Sequence, residues 1–345
     1  MNKKLILITG GCGYIGSHTI IEFINNGFDV ASIDNFSRSS SKSLKYIKQI
    51  TGYDVLNYNI NLTEKNEVTS IFNKLGSVFG VVHFAAFKSV PESINFPEIY
   101  YHNNIFSLVN ILENCITHSI KNFVFSSSCS IYGDIDKLPV TELTILAKAK
   151  SPYAYSKVIG ERIVEDICKS HGIKAMCLRY FNPVGAHTSG LIGEMPLLRP
   201  DNLVPVITQT AIGKRKFMEV FGGSLDTRDG SCVRDYVHVM DISTAHVLAL
   251  QKLNDANYMY EIINLGSGRG VSVFEAIDSF EKVSGLKLNY KVVNSRVGDV
   301  IEIYSNIDKA KKILNWEPKY DINAMMSSAW LWENELYRKS KKKHY

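Results

Sequence analysis

The first half of the chain alternates between two hydrophobic rhythms. Residues 5–9 form a short apolar run that turns over glycines into an amphipathic stretch ending near residue 26. Further strand-like runs fall at residues 30–33, 55–58, 81–85, 123–126 and 175–179. Helical patterns fill most of the gaps, notably residues 97–118 and 152–171. The run at 81–85 is apolar apart from His83, as a strand buried on both faces requires. Strands alternating with helices predict an α/β fold with a parallel, doubly wound sheet. Beyond Asn182 the rhythm loosens. Proline and glycine become frequent from 183 to 205, strand-like pieces stand at 219–222 and 262–265, and helical patterns at 271–284 and 307–314. The chain therefore divides into a regular domain over residues 1–182 and a smaller α/β domain over 183–345, with the second crossing back to the first.

Charge changes this picture little. The 345 residues hold 39 basic and 34 acidic side chains, a net charge of +5. Arg338, Lys339, Lys341, Lys342 and Lys343 account for the whole excess, so the basicity reads as a frayed, solvated terminus and not a groove. No nucleic-acid partner is expected. No run of about 18 apolar residues is present, so no membrane span is expected. The N-terminal run is too short for a signal peptide, and the expected location is the cytoplasm. Cys12, Cys115, Cys129, Cys168, Cys177 and Cys232 form no C-x-x-C pair and read as reduced thiols. The histidines show no ligand spacing, and no metal is expected.

Two motifs carry chemistry. Gly10, Gly13 and Gly16 stand where the first strand meets the first helix. Such glycines permit a tight turn, close approach to a pyrophosphate, and close packing of helix on strand. The helix start then offers free N–H groups to phosphates. This is a Rossmann-type dinucleotide site. Asp34 ends the second strand 18 residues past Gly16, where a carboxylate accepts from the ribose hydroxyls and repels a 2′-phosphate, which favours NAD. Arg38 lies close by and works against that preference. The second motif is Tyr153 and Lys157. Four residues apart, they share a helix face, and a neighbouring ammonium, with a positively charged nicotinamide ring, lowers a phenol from its ordinary value of ~10. A phenolate can take a proton from a sugar hydroxyl. Tyr155 has Ile159 as its counterpart and lacks that partner. Ser126, Ser127 and Ser128 end the fifth strand, at the edge where open sheets bind ligands.

With Thr9-Gly10-Gly11-x-Gly13-Tyr14-Ile15-Gly16, residues 125–133 and Tyr153-x-x-x-Lys157, the chain resembles the extended short-chain dehydrogenase/reductase family. The blocks at 179–187 (Arg-Tyr-Phe-Asn-Pro-Val-Gly-Ala-His), 233–241 and Asn264-Leu265-Gly266 narrow the resemblance to the UDP-glucose 4-epimerases, over nearly the whole chain. The resemblance implies reversible oxidation of UDP-galactose and UDP-glucose at carbon 4 with enzyme-bound NAD. Tyr153 would be the base, Lys157 its tuner, and Ser128 the hydroxyl partner. NAD would meet Gly10, Gly13, Tyr14, Ile15, Gly16, Asp34, Asn35, Asn61, Leu62, Phe84, Ala85, Ala86, Lys88, Asn103, Ser126, Tyr153, Lys157 and Tyr180. The UDP-sugar would meet Lys88, Ser128, Tyr153, Phe181, Asn182, Asn202, Leu203, Phe221, Arg234, Tyr236, Arg296, Asp299 and Ile303. Residues 1–182 would hold the cofactor and 183–345 the UDP-sugar. The resemblance also implies a homodimer joined through the helices at 97–118 and 152–171, whose outward faces are expected to include Leu108, Leu112, Ile159 and Ile163, residues that also suit the core.

Two positions depart from the family pattern. Asn61 stands where an aspartate usually contacts adenine. Ile303 is neither the small nor the aromatic residue that tunes sugar size in relatives, and it is expected on the pocket wall, with a core position as the alternative. A 4,6-dehydratase of the same fold would carry Asp-Glu where this chain has Cys129-Ser130. A related UDP-sugar epimerase or decarboxylase and a non-catalytic NAD-binding protein stay open.

Overall fold

The computed structural model describes residues 3–197, 200, 202–255, 258–295 and 300–341. Its strands are β1 (Leu5–Thr9), β2 (Asp29–Ile33), β3 (Leu56–Tyr58), β4 (Gly80–His83), β5 (Asn122–Ser128), β6 (Lys174–Tyr180), β7 (Asn182–Val184), β8 (Met218–Phe221), β9 (Val233–His238), β10 (Tyr260–Leu265), β11 (Gly270–Ser272), β12 (Tyr290–Val293) and β13 (Glu302–Ile303). The large sheet runs β10-β6-β5-β4-β1-β2-β3, with neighbours parallel throughout. The order reverses between β1 and β4, which opens a crevice at the carboxyl ends of the strands. Alternation along β1 places Ile6 and Ile8 in the core on one face of the sheet and Leu7 in the core on the other.

The second half is less self-contained than the sequence suggests. The piece expected at 262–265 in the smaller domain is β10, and it pairs with β6 at the edge of the large sheet. Its buried Ile263 and Leu265 join the same core cluster as Met176 and Leu178 of β6, and the strand covers β6's open edge. The remaining strands form small sheets: β7, β11 and β13 each pair with β9, and β8 pairs with β12.

Local rules set the helix ends that matter for the site. Ser151 caps the helix Pro152–His171 by accepting from the N–H of Ala154, Pro152 occupies its first position, and left-handed Gly172 ends it. The helix expected over 97–118 is broken in character: Pro97–Tyr101 and Ser107–Thr117 flank a π turn at His102–Phe106. That turn carries Asn103 to the crevice. The basic terminus is not frayed at its start. Arg338, Lys339 and Lys341 belong to the helix Ile322–Lys341, and Lys339 Nζ lies 4.4 Å from the Tyr46 ring centroid and 5.9 Å from that of Trp332. Cation–π contact with two rings holds it there. Lys342 and Lys343 lie outside the described residues. Among the described residues, no helix is long and apolar enough to cross a membrane.

Candidate active site

A cavity of about 350 Å³ opens at the carboxyl ends of β1, β2, β4 and β5. One wall is the glycine turn. Gly10 has φ +68°, and a Cβ there would meet the backbone of Ala85 at 2.8 Å. A Cβ on Gly16 would sit 2.3 Å from the Gly10 carbonyl oxygen. Gly13 precedes the helix Tyr14–Asn25, whose start has no side-chain cap. Its first N–H groups are thus free for an anion. Asp34 Oδ1 accepts from the N–H of Phe36 at 2.9 Å and from Ser39 Oγ at 2.6 Å, and Oδ2 accepts from the N–H of Cys12 at 2.9 Å. Arg38 also lines the cavity, where it pairs with Glu92 at 2.5 Å and lies 4.8 Å from the Phe87 ring. Asn61 Oδ1 accepts from the N–H of Thr63 at 3.2 Å. All the residues expected at the cofactor, including Asn35, Leu62, Phe84, Ala86, Asn103 and Tyr180, line this cavity.

The reactive end lies opposite β5. Tyr153, Lys157, Ser126 and Ser128 line the cavity together. Lys157 Nζ donates to the Ser126 carbonyl at 2.7 Å and sits 5.0 Å from the Phe125 ring centroid. Burial lowers the Lys157 ammonium to about 8, with Glu161 pulling the other way. Burial pushes the Tyr153 phenol up to about 12, while the hydrogen-bonding Ser128 hydroxyl draws it down. Among the protein's own groups desolvation thus outweighs the help this phenol receives, so any lowering depends on the positive charge of the nicotinamide ring. Tyr180 hydrogen-bonds Ser126 beside it.

The substrate-side residues divide. Lys88, Ser128, Tyr153, Phe181 and Asn202 line the cavity. Asn182, Leu203, Phe221, Arg234, Tyr236 and Ile303 do not. The Asn182 side-chain oxygen is buried without a hydrogen-bond partner. Tyr236 is buried and Leu203 packs in one small core cluster, and Phe221 ends β8. Arg234 Nη1 donates to the carbonyls of Val233 at 2.9 Å and Ile301 at 3.3 Å. Ile303, expected on the sugar wall, is 5% exposed and packs with Ile131, Tyr132, Val140 and Phe181. Pairing of the short β13 with β9 buries it there. Arg296 and Asp299 lie outside the described residues.

Two residues escaped the sequence reading. Glu194 Oε1 accepts from Lys88 Nζ at 3.2 Å and from Asn202 Nδ2 at 2.8 Å, joining the two walls. Nothing local marks it. Glu161 lies one helical step beyond Lys157, and extending the Tyr153–Lys157 spacing by four residues would have found it.

The helices expected to pair two copies are only partly as foreseen. Leu108 and Leu112 are core residues, fully buried against the sheet. The exposed apolar side chains are instead Ile99 (44%), Phe106 (55%) and Tyr155 (49%).

The chain matches the family described as GDP-mannose 4,6 dehydratase over residues 7–329. It is 42% identical over 343 residues to a UDP-glucose 4-epimerase of Drosophila melanogaster, covering 97% of this chain and 98% of the relative. A UDP-glucose-4-epimerase of Stenotrophomonas maltophila, solved with NAD and formylated UDP-arabinopyranose, superposes with a TM-score of 0.94 at 36% identity, covering 97% of this chain and 99% of that one. The enzyme of Bifidobacterium longum, solved with NAD+ and UDP, gives 0.92 at 38% identity, with 96% and 98% covered.

Proposed function

Because the chain belongs to the UDP-glucose 4-epimerases of the extended short-chain dehydrogenase/reductase family, we propose that it interconverts UDP-galactose and UDP-glucose, with Tyr153 taking the proton of the sugar's 4-hydroxyl. The observation that carries this reading is the meeting of Tyr153, Lys157 and Ser128 in one cavity with the glycine turn and Asp34. The glycine cradle, the uncapped helix start and the carboxylate at the end of β2 fit NAD. When bound, NAD supplies reversible oxidation at carbon 4. The chain's own part is to move one proton. Ser128 orients the 4-hydroxyl toward Tyr153, and Lys157, one helical turn on, supplies positive charge beside the phenol. Burial holds the Tyr153 phenol up at about 12, so the positive charge of Lys157 and of a bound nicotinamide ring is what would favour the phenolate that accepts the proton.

On the substrate side, Asn202, Phe221 and Arg234, with Arg296 and Asp299, would hold the UDP group. The two carbonyl contacts of Arg234 neutralise none of its charge, which suits a diphosphate. Residues 1–182 would serve the cofactor and 183–345 the UDP-sugar. We also propose a cytoplasmic homodimer joined through the faces that expose Ile99, Phe106 and Tyr155; a monomer mass by light scattering at micromolar concentration would refute the dimer.

Dehydration is disfavoured by the turn after β5. It presents Cys129 and Ser130, and burial holds the Cys129 thiol up to about 12, so neither offers the acid–base pair that elimination of water needs. The test is turnover of UDP-galactose by the wild type and by Tyr153→Phe. The variant is expected to lose at least ~100-fold in turnover while still binding UDP. Near-normal turnover would end the proposal.

A further inference from the structure

A buried ion pair lies directly behind the reactive groups. Glu161 and Arg179 have side chains 7% and 4% exposed and meet at 2.7 Å. The contact is forked: Arg179 Nε reaches Glu161 Oε1 at 2.9 Å and Nη2 reaches Oε2 at 2.7 Å. Glu161 Oε1 also accepts from Ser127 Oγ at 2.5 Å. Arg179 Nη1 donates to Tyr132 Oη at 3.1 Å, and Tyr132 donates to Asn264 Oδ1 at 2.6 Å. Burying two charges costs several kcal/mol, and an apolar pair of like volume is often as stable. Stability alone therefore gives no reason for this pair.

Its position does. Tyr153, Lys157 and Glu161 follow one another at four-residue steps along the helix Pro152–His171. Ser127 sits between the two residues of β5 that serve the site: the Ser126 carbonyl takes the Lys157 proton donor, and Ser128 is the partner of Tyr153. Strand alternation turns Ser127 to the helix side with Phe125, within reach of Glu161.

We propose that Glu161 is a positioning residue of this centre: clamped by Arg179, its carboxylate holds the end of β5 through Ser127 and sets the charge felt by Lys157. The groups facing Lys157 are Tyr153 and Glu161 on its own helix, His83 on β4, and Cys177 on β6, with Arg179 and Tyr180 further along β6. Of these, Glu161 supports the ammonium, and Arg179 offsets Glu161. Removing either member of the pair must move Lys157 in opposite directions. This inference rests on the Tyr153–Lys157 reading above.

The experiment is the pH profile of kcat for UDP-galactose in Glu161→Gln, Arg179→Gln and the double variant. In Glu161→Gln the alkaline limb is expected to move down by about one pH unit, with kcat at pH 7 lower by a few-fold and KM within about twofold. In Arg179→Gln the limb is expected to move up. The double variant buries no unpaired charge and covers the case in which a single variant does not fold; its limb is expected below that of the wild type, by less than in Glu161→Gln. Ser127→Ala keeps the ion pair, so it should lower kcat a few-fold and leave the limb in place. Equal limbs in wild type and double variant, or shifts of one sign in both single variants, overturn the proposal. If those results come with an inactive Tyr153→Phe, only the role of Glu161 fails; an active Tyr153→Phe overturns both readings.

Discussion

The wall that holds the glycine turn and the wall across from it differ in how far apart their residues lie in the sequence. On the first wall, Gly10, Gly13, Gly16 and Asp34 fall within a single β-α-β unit, and their contacts are mostly to backbone. On the second, Phe181, Glu194 and Asn202 come from a loop-rich stretch, while Arg234 and Ile303, expected on it, sit away from the cavity on the strands β9 and β13. A site made by one local unit is specified by local rules. A site made by several loops depends on how those loops pack.

The largest effect expected is on acid stability, and it weighs mainly on the first wall. Burial holds His18 and His246 at about 4 and His83 and His238 at about 3. Below the ordinary value of 6.5 the unfolded chain takes up protons that the folded chain refuses. Their stabilisation is thus complete above pH 6.5 and lost as the pH falls toward 4 and then 3. By pH 4.5 each imidazole should cost on the order of 2 kcal/mol. Asp241, raised by burial from 3.8 to about 6, acts in the opposite sense between those values, joined by Glu22 and Asp235, which burial also raises, while burial of His187 adds to the imidazoles. The urea midpoint should fall steeply from pH 7 to pH 4.5. Hydrogen exchange should show the large sheet opening first, since only His238 lies on β9.

Behind the second wall, Ile303→Ala should lower stability by about 2–5 kcal/mol, as for other large core side chains. The ratio of activity on UDP-N-acetylglucosamine to that on UDP-galactose should stay the same. A rise in that ratio would place Ile303 on the sugar wall after all and make the second wall more legible than the packing implies.

Cofactor choice tests the first wall again. With the charge of Arg38 partnered by Glu92, a 2′-phosphate would meet the Asp34 carboxylate with Arg38 not free to offset it. Activity reconstituted with NADP should be ~100-fold below that with NAD, the scale of a like-charge clash. Equal activities would mean that Arg38 leaves Glu92 to serve the ribose end. The smallest effect expected comes from Gly16→Ala. Its Cβ would stand 2.3 Å from the Gly10 carbonyl oxygen, against 3.2 Å for one on Gly13. Overpacking of ~1–3 kcal/mol should weaken NAD binding about 10- to 100-fold, and Gly13→Ala should do less. Nucleotide released from the denatured variants measures both.

The sequence by itself determined the parallel sheet, the glycine turn, the carboxylate after β2 and the shared helix face of Tyr153 and Lys157. Each follows from a period of two, of four, or from a turn that only glycine fits, and none needs a distant partner. Tertiary structure alone decided the rest. It carried β10 back to the large sheet, set Glu194 between Lys88 and Asn202, turned Ile303 into a core, and tied Arg38 to Glu92. It also set the burial that raises the Tyr153 phenol, because the four-residue spacing shows the helpful ammonium but not the water stripped from the phenol. Desolvation is a sum over everything packed around a group, and no short stretch of sequence contains that sum.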